Sequence, residues 1–234
     1  MSGVAVRIHE LSKTFVLHNQ GGAQLAVLAN ANLNVASGEC VVLDGPSGSG
    51  KSTLLKCVYA TYRATSGSIV LESDEAAVDV TRAPAQSLLN LRRRTIGYVS
   101  QFLRVVPRVP ALDVVAEALI EDAGEDDRLL REARVEAQHL LLRLRIPQRL
   151  WNVPPATFSG GEQQRINVAR SLIKPRPVLL LDEPTASLDA RNRQTVVCMI
   201  REARARGAAI LGIFHDAAVR DAVATRVIDM TEMR

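Results

Sequence analysis

The sequence predicts an α/β fold, and three observations carry that reading. Short apolar runs of strand length alternate with helical patterns along most of the chain. One run, Cys40-Val41-Val42-Leu43, is apolar without alternation, as in a strand buried on both faces of a parallel sheet. A glycine-rich loop, Gly45 to Ser52, then joins that strand to a helical segment.

The elements follow in order. Residues 4–8 read as a first strand. Residues 33–35, a turn at Ser37-Gly38 and residues 39–44 read as a hairpin or strand pair. A helix is expected from Lys51 to about Tyr62. Residues 68–71 and 78–81 look like edge strands around the polar loop Ser73-Asp74-Glu75, and residues 95–100 form another strand. Pro107 and Pro110 break the chain. From Asp113 to about Arg145 the pattern is helical, interrupted at Gly124. Leu130, Ala133, Ala137, Leu140, Leu141 and Leu144 recur at helical spacing, with Arg131, Glu132 and Glu136 opposite. Pro147 ends that helix and Pro154-Pro155 marks the exit. Residues 102–158 therefore read as a mostly helical insert in a core of residues 1–101 and 159–234. Strand and helix alternate to the end, over 178–181, 190–206, 210–214, 216–223 and 226–230.

Composition narrows the function classes. A chain of 234 residues with 47% hydrophobic and 23% charged residues is a folded domain and not a disordered tail. The net charge of +4 is spread along the chain and gives no nucleic-acid signal, so no direct nucleic-acid partner is expected. Arg92-Arg93-Arg94 reads as a solvated helix end. No apolar run reaches the roughly 18 residues of a membrane span, and no membrane insertion is expected. The start Met1-Ser2-Gly3-Val4 shows no secretory pattern. Three cysteines, Cys40, Cys57 and Cys198, lack metal-ligand spacing. A reduced, cytoplasmic setting fits.

Gly45-Pro46-Ser47-Gly48-Ser49-Gly50-Lys51-Ser52 matches the phosphate-binding pattern G-x-x-x-x-G-K-[ST], between a buried strand and a helix. Its glycines let successive backbone N–H groups turn inward as an anion nest, and the helix start adds unsatisfied donors. Lys51 is placed to reach the β and γ phosphates, and the Ser52 hydroxyl to ligate Mg²⁺. A buried run ending in Asp182-Glu183 supplies two carboxylates with different tasks. Asp182 suits the Mg²⁺ shell, and Glu183 suits orienting or deprotonating an attacking water. Ser159-Gly160-Gly161-Glu162-Gln163 opens another helix. Ser159 and Glu162 have capping-box spacing. Two glycines in a first helical turn cost about 1 kcal/mol each relative to alanine, which makes sense if a phosphate approaches the backbone closely.

The phosphate loop, Gln101, Ser159-Gly160-Gly161-Glu162-Gln163, Asp182-Glu183, Ser187-Leu188-Asp189 and His215 occur in that order. With this set the chain resembles the ATP-binding cassette (ABC) ATPases over nearly its whole length. The resemblance implies a P-loop NTPase core with an antiparallel β-subdomain and an inserted α-helical subdomain. It implies ATP and Mg²⁺ as cofactors and a Mg-dependent ATPase. It also implies a head-to-tail dimer with a second ABC subunit, self or sister, in which Ser159, Gly160, Gly161 and Glu162 close over ATP held by residues 45–52 and Thr53 of the other chain. By the same resemblance Gln101 senses the γ-phosphate and Mg²⁺, Asp189 lies in an interface-crossing loop, His215 contacts the γ-phosphate, and Phe15 stacks on adenine. Glu162 stands where glutamine is commonest in that family, and Phe214 where many members have a small hydroxyl residue.

Three stretches resemble one branch of the family more closely: residues 101–110, Arg149-Leu150-Trp151 with the turn at Thr157-Phe158-Ser159, and residues 207–216. They look like the L subunit of the bacterial carbon–phosphorus lyase system. That implies a cytoplasmic ATPase working with the lyase core complex in phosphonate catabolism, associated with synthesis of ribose 1-methylphosphonate 5-triphosphate. The alternatives are the ATPase of a lipoprotein- or macrolide-type transporter and a nucleotide-gated assembly module with little turnover.

Overall fold

The computed structural model describes residues 3–17, 19, 21–72, 76–103, 107–120 and 126–232. In chain order its first elements are β1 (Val4–Leu17), β2 (Ala23–Ala36), β3 (Cys40–Asp44), α1 (Lys51–Val58), β4 (Ser66–Glu72), β5 (Ala77–Asp79), α2 (Ala85–Arg94) and β6 (Ile96–Val99). Then come α3 (Ala111–Ile120), α4 (Asp127–Arg143), α5 (Gly160–Leu172), β7 (Val178–Asp182), α6 (Ala190–Ala205), β8 (Ala209–Ile213), α7 (Ala217–Val223) and β9 (Arg226–Asp229).

The strands sort into two sheets. One is antiparallel, in the order β2-β1-β4-β5. The other is parallel, in the order β6-β7-β8-β3-β9. The inner strands β7, β8 and β3 read as near-continuous apolar runs because both faces are covered, whereas the edge strand β9 is largely exposed. Alternate residues serve different cores. Cys40, Val42, Leu179 and Leu181 pack into one cluster with Ile166, Val168 and Ala169 of α5 and with residues of α3, α4 and α6. Val41, Leu43, Val178 and Leu180 pack into the other with Leu54, Leu55 and Val58 of α1 and with the antiparallel sheet. Each fully buried Val, Leu or Ile among them contributes roughly 1.5–3 kcal/mol. The consequence for function is that α1 and α5 lie on opposite faces of one sheet.

Several expectations are corrected. Residues 33–44 are not a hairpin: β2 pairs with β1 and β3 with β8 and β9, so the chain crosses between sheets at Ser37-Gly38. The first strand runs on to Leu17, bending at irregular pairings around Ile8 to Lys13, and its long partner β2 alternates cleanly only over Ala31 to Val35, so its first half carried no strand signal. Helix α1 stops at Val58 and not near Tyr62, because Ala60 turns left-handed at φ +59°. Arg92 is not a solvated helix end. It donates to the carbonyls of Tyr59 (3.1 Å) and Ala60 (3.0 Å), so it caps the end of α1. On α4 the buried face is Ala133, Ala137 and Leu141, while Leu130 is exposed. The loop 73–75 and the break at Gly124 lie outside the described residues, as do Arg104, Val105 and Val106 of the stretch after Gln101.

Candidate active site

The loop between β3 and α1 takes the backbone shape its glycines allow. Gly45, Gly48 and Gly50 have φ of +130°, +81° and +97°. A Cβ on Gly50 would also stand 2.9 Å from Leu28 and 3.0 Å from the Val27 carbonyl oxygen. Helix α1 starts at this glycine, and no side chain caps it. Its first N–H groups are therefore available to an anion. Lys51 is buried and folds back over the loop. Its Nζ donates to the carbonyls of Gly45 (2.6 Å) and Pro46 (2.8 Å) and reaches Ser49 Oγ at 3.4 Å. The ammonium thus closes the ring whose centre a phosphate would fill. Ser47, Ser52 and Thr53 complete the loop and the first turn of α1.

Ser52 Oγ donates to Asp182 Oδ1 at 3.1 Å, which ties the loop to the end of β7. Tyr98, one strand over, donates to Asp182 Oδ2 at 3.4 Å. Burial pushes the Asp182 carboxyl above the usual carboxylate range, with the Ser52 bond pulling the other way. A hydroxyl and a carboxylate side by side are the oxygen donors Mg²⁺ takes, and it fills its remaining positions with waters and phosphate oxygens. Among the described residues there is no group of three or more His, Cys, Asp and Glu that could hold a metal alone. The pair therefore fits an ion that arrives with a nucleotide.

Glu183 follows immediately, at φ +55°, its N–H bonded to Ile213 O at 3.1 Å. That left-handed turn swings its carboxylate to the loop after β8, where Oε1 lies 2.8 Å from His215 Nε2. Gln164 of α5 donates to the Glu183 carbonyl at 3.2 Å. Asp189 caps α6 by accepting from Asn192 N at 2.8 Å. Asp216 caps α7, accepting from Ala218 N (2.9 Å) and Val219 N (3.2 Å). Arg193 joins these two loops, donating to Asp216 and, at 3.2 Å, to Leu188 O. Phe214 explains its neighbour Gly212, because a Cβ there would meet its ring at 2.5 Å.

The structure thus brings residues 45–52, Asp182, Glu183 and His215 to one end of the parallel sheet. Gln101 lines a cavity of about 580 Å³ that also reaches Asp182 and includes Tyr59, Tyr62, Phe102, Arg92 and Arg93. Phe15 sits on the antiparallel sheet, edge-on to Tyr62 at 5.2 Å, with Lys13 Nζ 4.6 Å from its ring centre. His18 and Gln20 of the turn beyond it lie outside the described residues. Ser159, Gly160, Gly161 and Glu162 stand apart at the start of α5, on the opposite face from α1. Gly161 packs on the Ser187 carbonyl, 2.8 Å from where a Cβ would be, whereas Gly160 faces open space. Tyr98, Gln164 and Arg193 went unremarked in the sequence. Tyr98 had a signal in its position on a buried strand and Gln164 in its place within the turn motif. Arg193 had none.

This loop, with a hydrogen-bonded Ser–Asp pair beside it and a carboxylate against a histidine, defines a P-loop nucleoside triphosphatase. The ABC transporter family profile matches residues 28–186. An uncharacterized ABC transporter ATP-binding protein of Mycobacterium tuberculosis is 37% identical over 92% of this chain. The macrolide export ATP-binding/permease protein MacB of Shigella flexneri is 36% identical over 91% of it. The chain spans 62% of the length of the first and 31% of the second. In a dimeric post-hydrolysis structure bound to ADP and Pi, the ATP-binding cassette MJ0796 is 30% identical, with a TM-score of 0.84 over 96% of this chain and 93% of that one. The chain belongs to the ABC ATPase family, and its cofactors are ATP and Mg²⁺. Among the described residues no helix is long and apolar enough to cross a membrane.

Proposed function

We propose that this chain hydrolyses ATP only when a second ABC subunit, identical or sister, closes over its nucleotide. One observation carries the reading: α1, which the phosphate loop opens, and α5, which Ser159 opens, pack on opposite faces of one sheet, from which we infer that one chain does not bring both to the same phosphate. Two chains placed head to tail can. In each site Lys51 and the loop N–H groups hold the phosphates, Ser52 and Asp182 hold Mg²⁺ with Gln101 beside them, and Phe15 faces the adenine. Held by Ser52 and Asp182, the ion would supply charge neutralisation to the phosphates. Glu183 accepts the proton of the attacking water, and His215 holds that carboxylate in place and faces the γ-phosphate. Ser159 and Gly161 of the facing chain donate to the γ-phosphate, and Gly160 and Glu162 flank them. Without them the developing charge lacks donors on one side. The core of residues 1–101 and 159–234 carries these groups, and residues 102–158 form the helical subdomain. Opening after hydrolysis shifts the conformation of whatever the pair is bound to.

The client we propose is the carbon–phosphorus lyase core complex of phosphonate catabolism, in the cytoplasm. Its support is the wording of residues 101–110, 149–151, 157–165 and 207–216. A second reading is the ATPase of a macrolide- or lipoprotein-type transporter, and the names of two relatives, an ABC transporter ATP-binding protein and a macrolide exporter, favour a transporter client. Affinity purification at native expression separates them. Recovery of lyase subunits supports the first, and recovery of a membrane permease supports the second. Turnover in the recovered assembly tests catalysis against a nucleotide-gated assembly module.

A further inference from the structure

We propose that Glu162 holds the Ser159 hydroxyl in the open subunit and so raises the ATP concentration at which the pair of subunits closes. The proposal rests on the reading above, in which Ser159 grips a nucleotide bound to the facing chain.

The geometry at the start of α5 is asymmetric. Ser159 Oγ donates to Glu162 Oε2 at 2.6 Å, and the same oxygen accepts the Ser159 backbone N–H at 2.9 Å. The return bond of the capping box is far longer: Glu162 N to Ser159 Oγ is 3.4 Å. The serine hydroxyl is therefore committed to the carboxylate more than to the helix. A hydroxyl–carboxylate bond of this length is charge-assisted and roughly twice as strong as a neutral one. The Glu162 carboxyl is held below the usual carboxylate range, first by the Ser159 hydroxyl and then by the Ser159 N–H, with Arg165 and Arg149 adding to the pull. It is an anion at neutral pH.

Two costs follow when a triphosphate approaches. The hydroxyl has one proton to give, to Glu162 or to a phosphate oxygen. The carboxylate also adds negative charge to the first turn of α5, where the helix N-terminus would otherwise favour an anion. Glutamine keeps acceptors for both Ser159 donors and removes the charge. Glu162 is thus a positioning residue, acting through Ser159.

The test uses Glu183→Gln as parent, with Glu162→Gln and Glu162→Ala added separately. Association at increasing ATP is followed by analytical ultracentrifugation, beside thermal melting and ADP affinity. Glu162→Gln is expected to lower the half-maximal ATP concentration roughly three- to tenfold, with ADP affinity unchanged and melting only slightly earlier, since a charge-assisted bond becomes a neutral one. Glu162→Ala is expected to lower it too while melting earlier, since the cap is lost. A Glu162→Gln protein that needs as much ATP as the parent, or more, overturns the proposal. If the parent itself fails to associate with ATP, alone and with its native partner, the facing-chain reading falls and this proposal with it.

Discussion

Glu183 Oε1 lies 2.8 Å from His215 Nε2, a contact made possible by the left-handed backbone of Glu183 at φ +55°. The carboxylate and the histidine come from different loops, after β7 and after β8, and meet above the strand ends. Substituting Glu183 with Gln removes the proposed proton acceptor and keeps the shape. Turnover should fall roughly 10²- to 10⁴-fold with ATP affinity retained, and ATP should trap a closed pair of subunits visible by size exclusion. Wild-type turnover would remove Glu183 from the mechanism.

Lys51 spends its three donors on Gly45, Pro46 and Ser49 within its own loop. Lys51→Ala loses both that closure and the charge that meets the phosphates. ATP affinity by calorimetry should drop roughly 10- to 100-fold. Unchanged affinity would count against the phosphate-loop assignment.

Asp182 gives a pH-linked prediction. Burial raises its carboxyl above the usual range, so the folded state prefers the neutral form. Ionised Asp182 therefore costs stability. The cost is absent below the unfolded value of about 3.9 and grows as pH rises through the folded one. Asp182→Asn should raise the melting temperature at pH 7, without nucleotide, by about 2–4 °C while ATP turnover collapses. A lower melting temperature would mean that the Ser52 and Tyr98 bonds outweigh the burial.

The two glycines of the α5 turn are not equivalent. Gly160 faces open space, whereas a Cβ on Gly161 would stand 2.8 Å from the backbone oxygen of Ser187. Gly160→Ala should leave stability unchanged or raise it by up to about 1 kcal/mol. Gly161→Ala should lower it by about 1–3 kcal/mol and separate the turn from the Ser187-Leu188-Asp189 loop. Chemical denaturation of both variants gives the comparison.

The sequence announced what repeats a local physical rule. The buried runs at 40–43 and 178–181, the glycine loop and the Ser159–Glu162 cap each carry their own signal, and the structure places all of them as strands, loop and capping box. Long-range choices were not legible. Nothing in residues 33–44 says that β2 and β3 join different sheets, because that depends on which surfaces β1 and β8 offer. Arg92 as the cap of α1 and Arg193 as the bridge between Leu188 and Asp216 depend on partners 32 and 23 residues away. A single arginine carries no period from which to infer them.

The decisive measurement is ATP turnover by the natively assembled complex carrying Ser159→Arg, with ATP affinity measured on the same variant chain alone. Turnover should fall at least about 100-fold while affinity stays at the wild-type value, since the bulky cation blocks the facing chain and not the loop beneath it. Wild-type turnover in that complex would contradict a nucleotide site shared between two polypeptides.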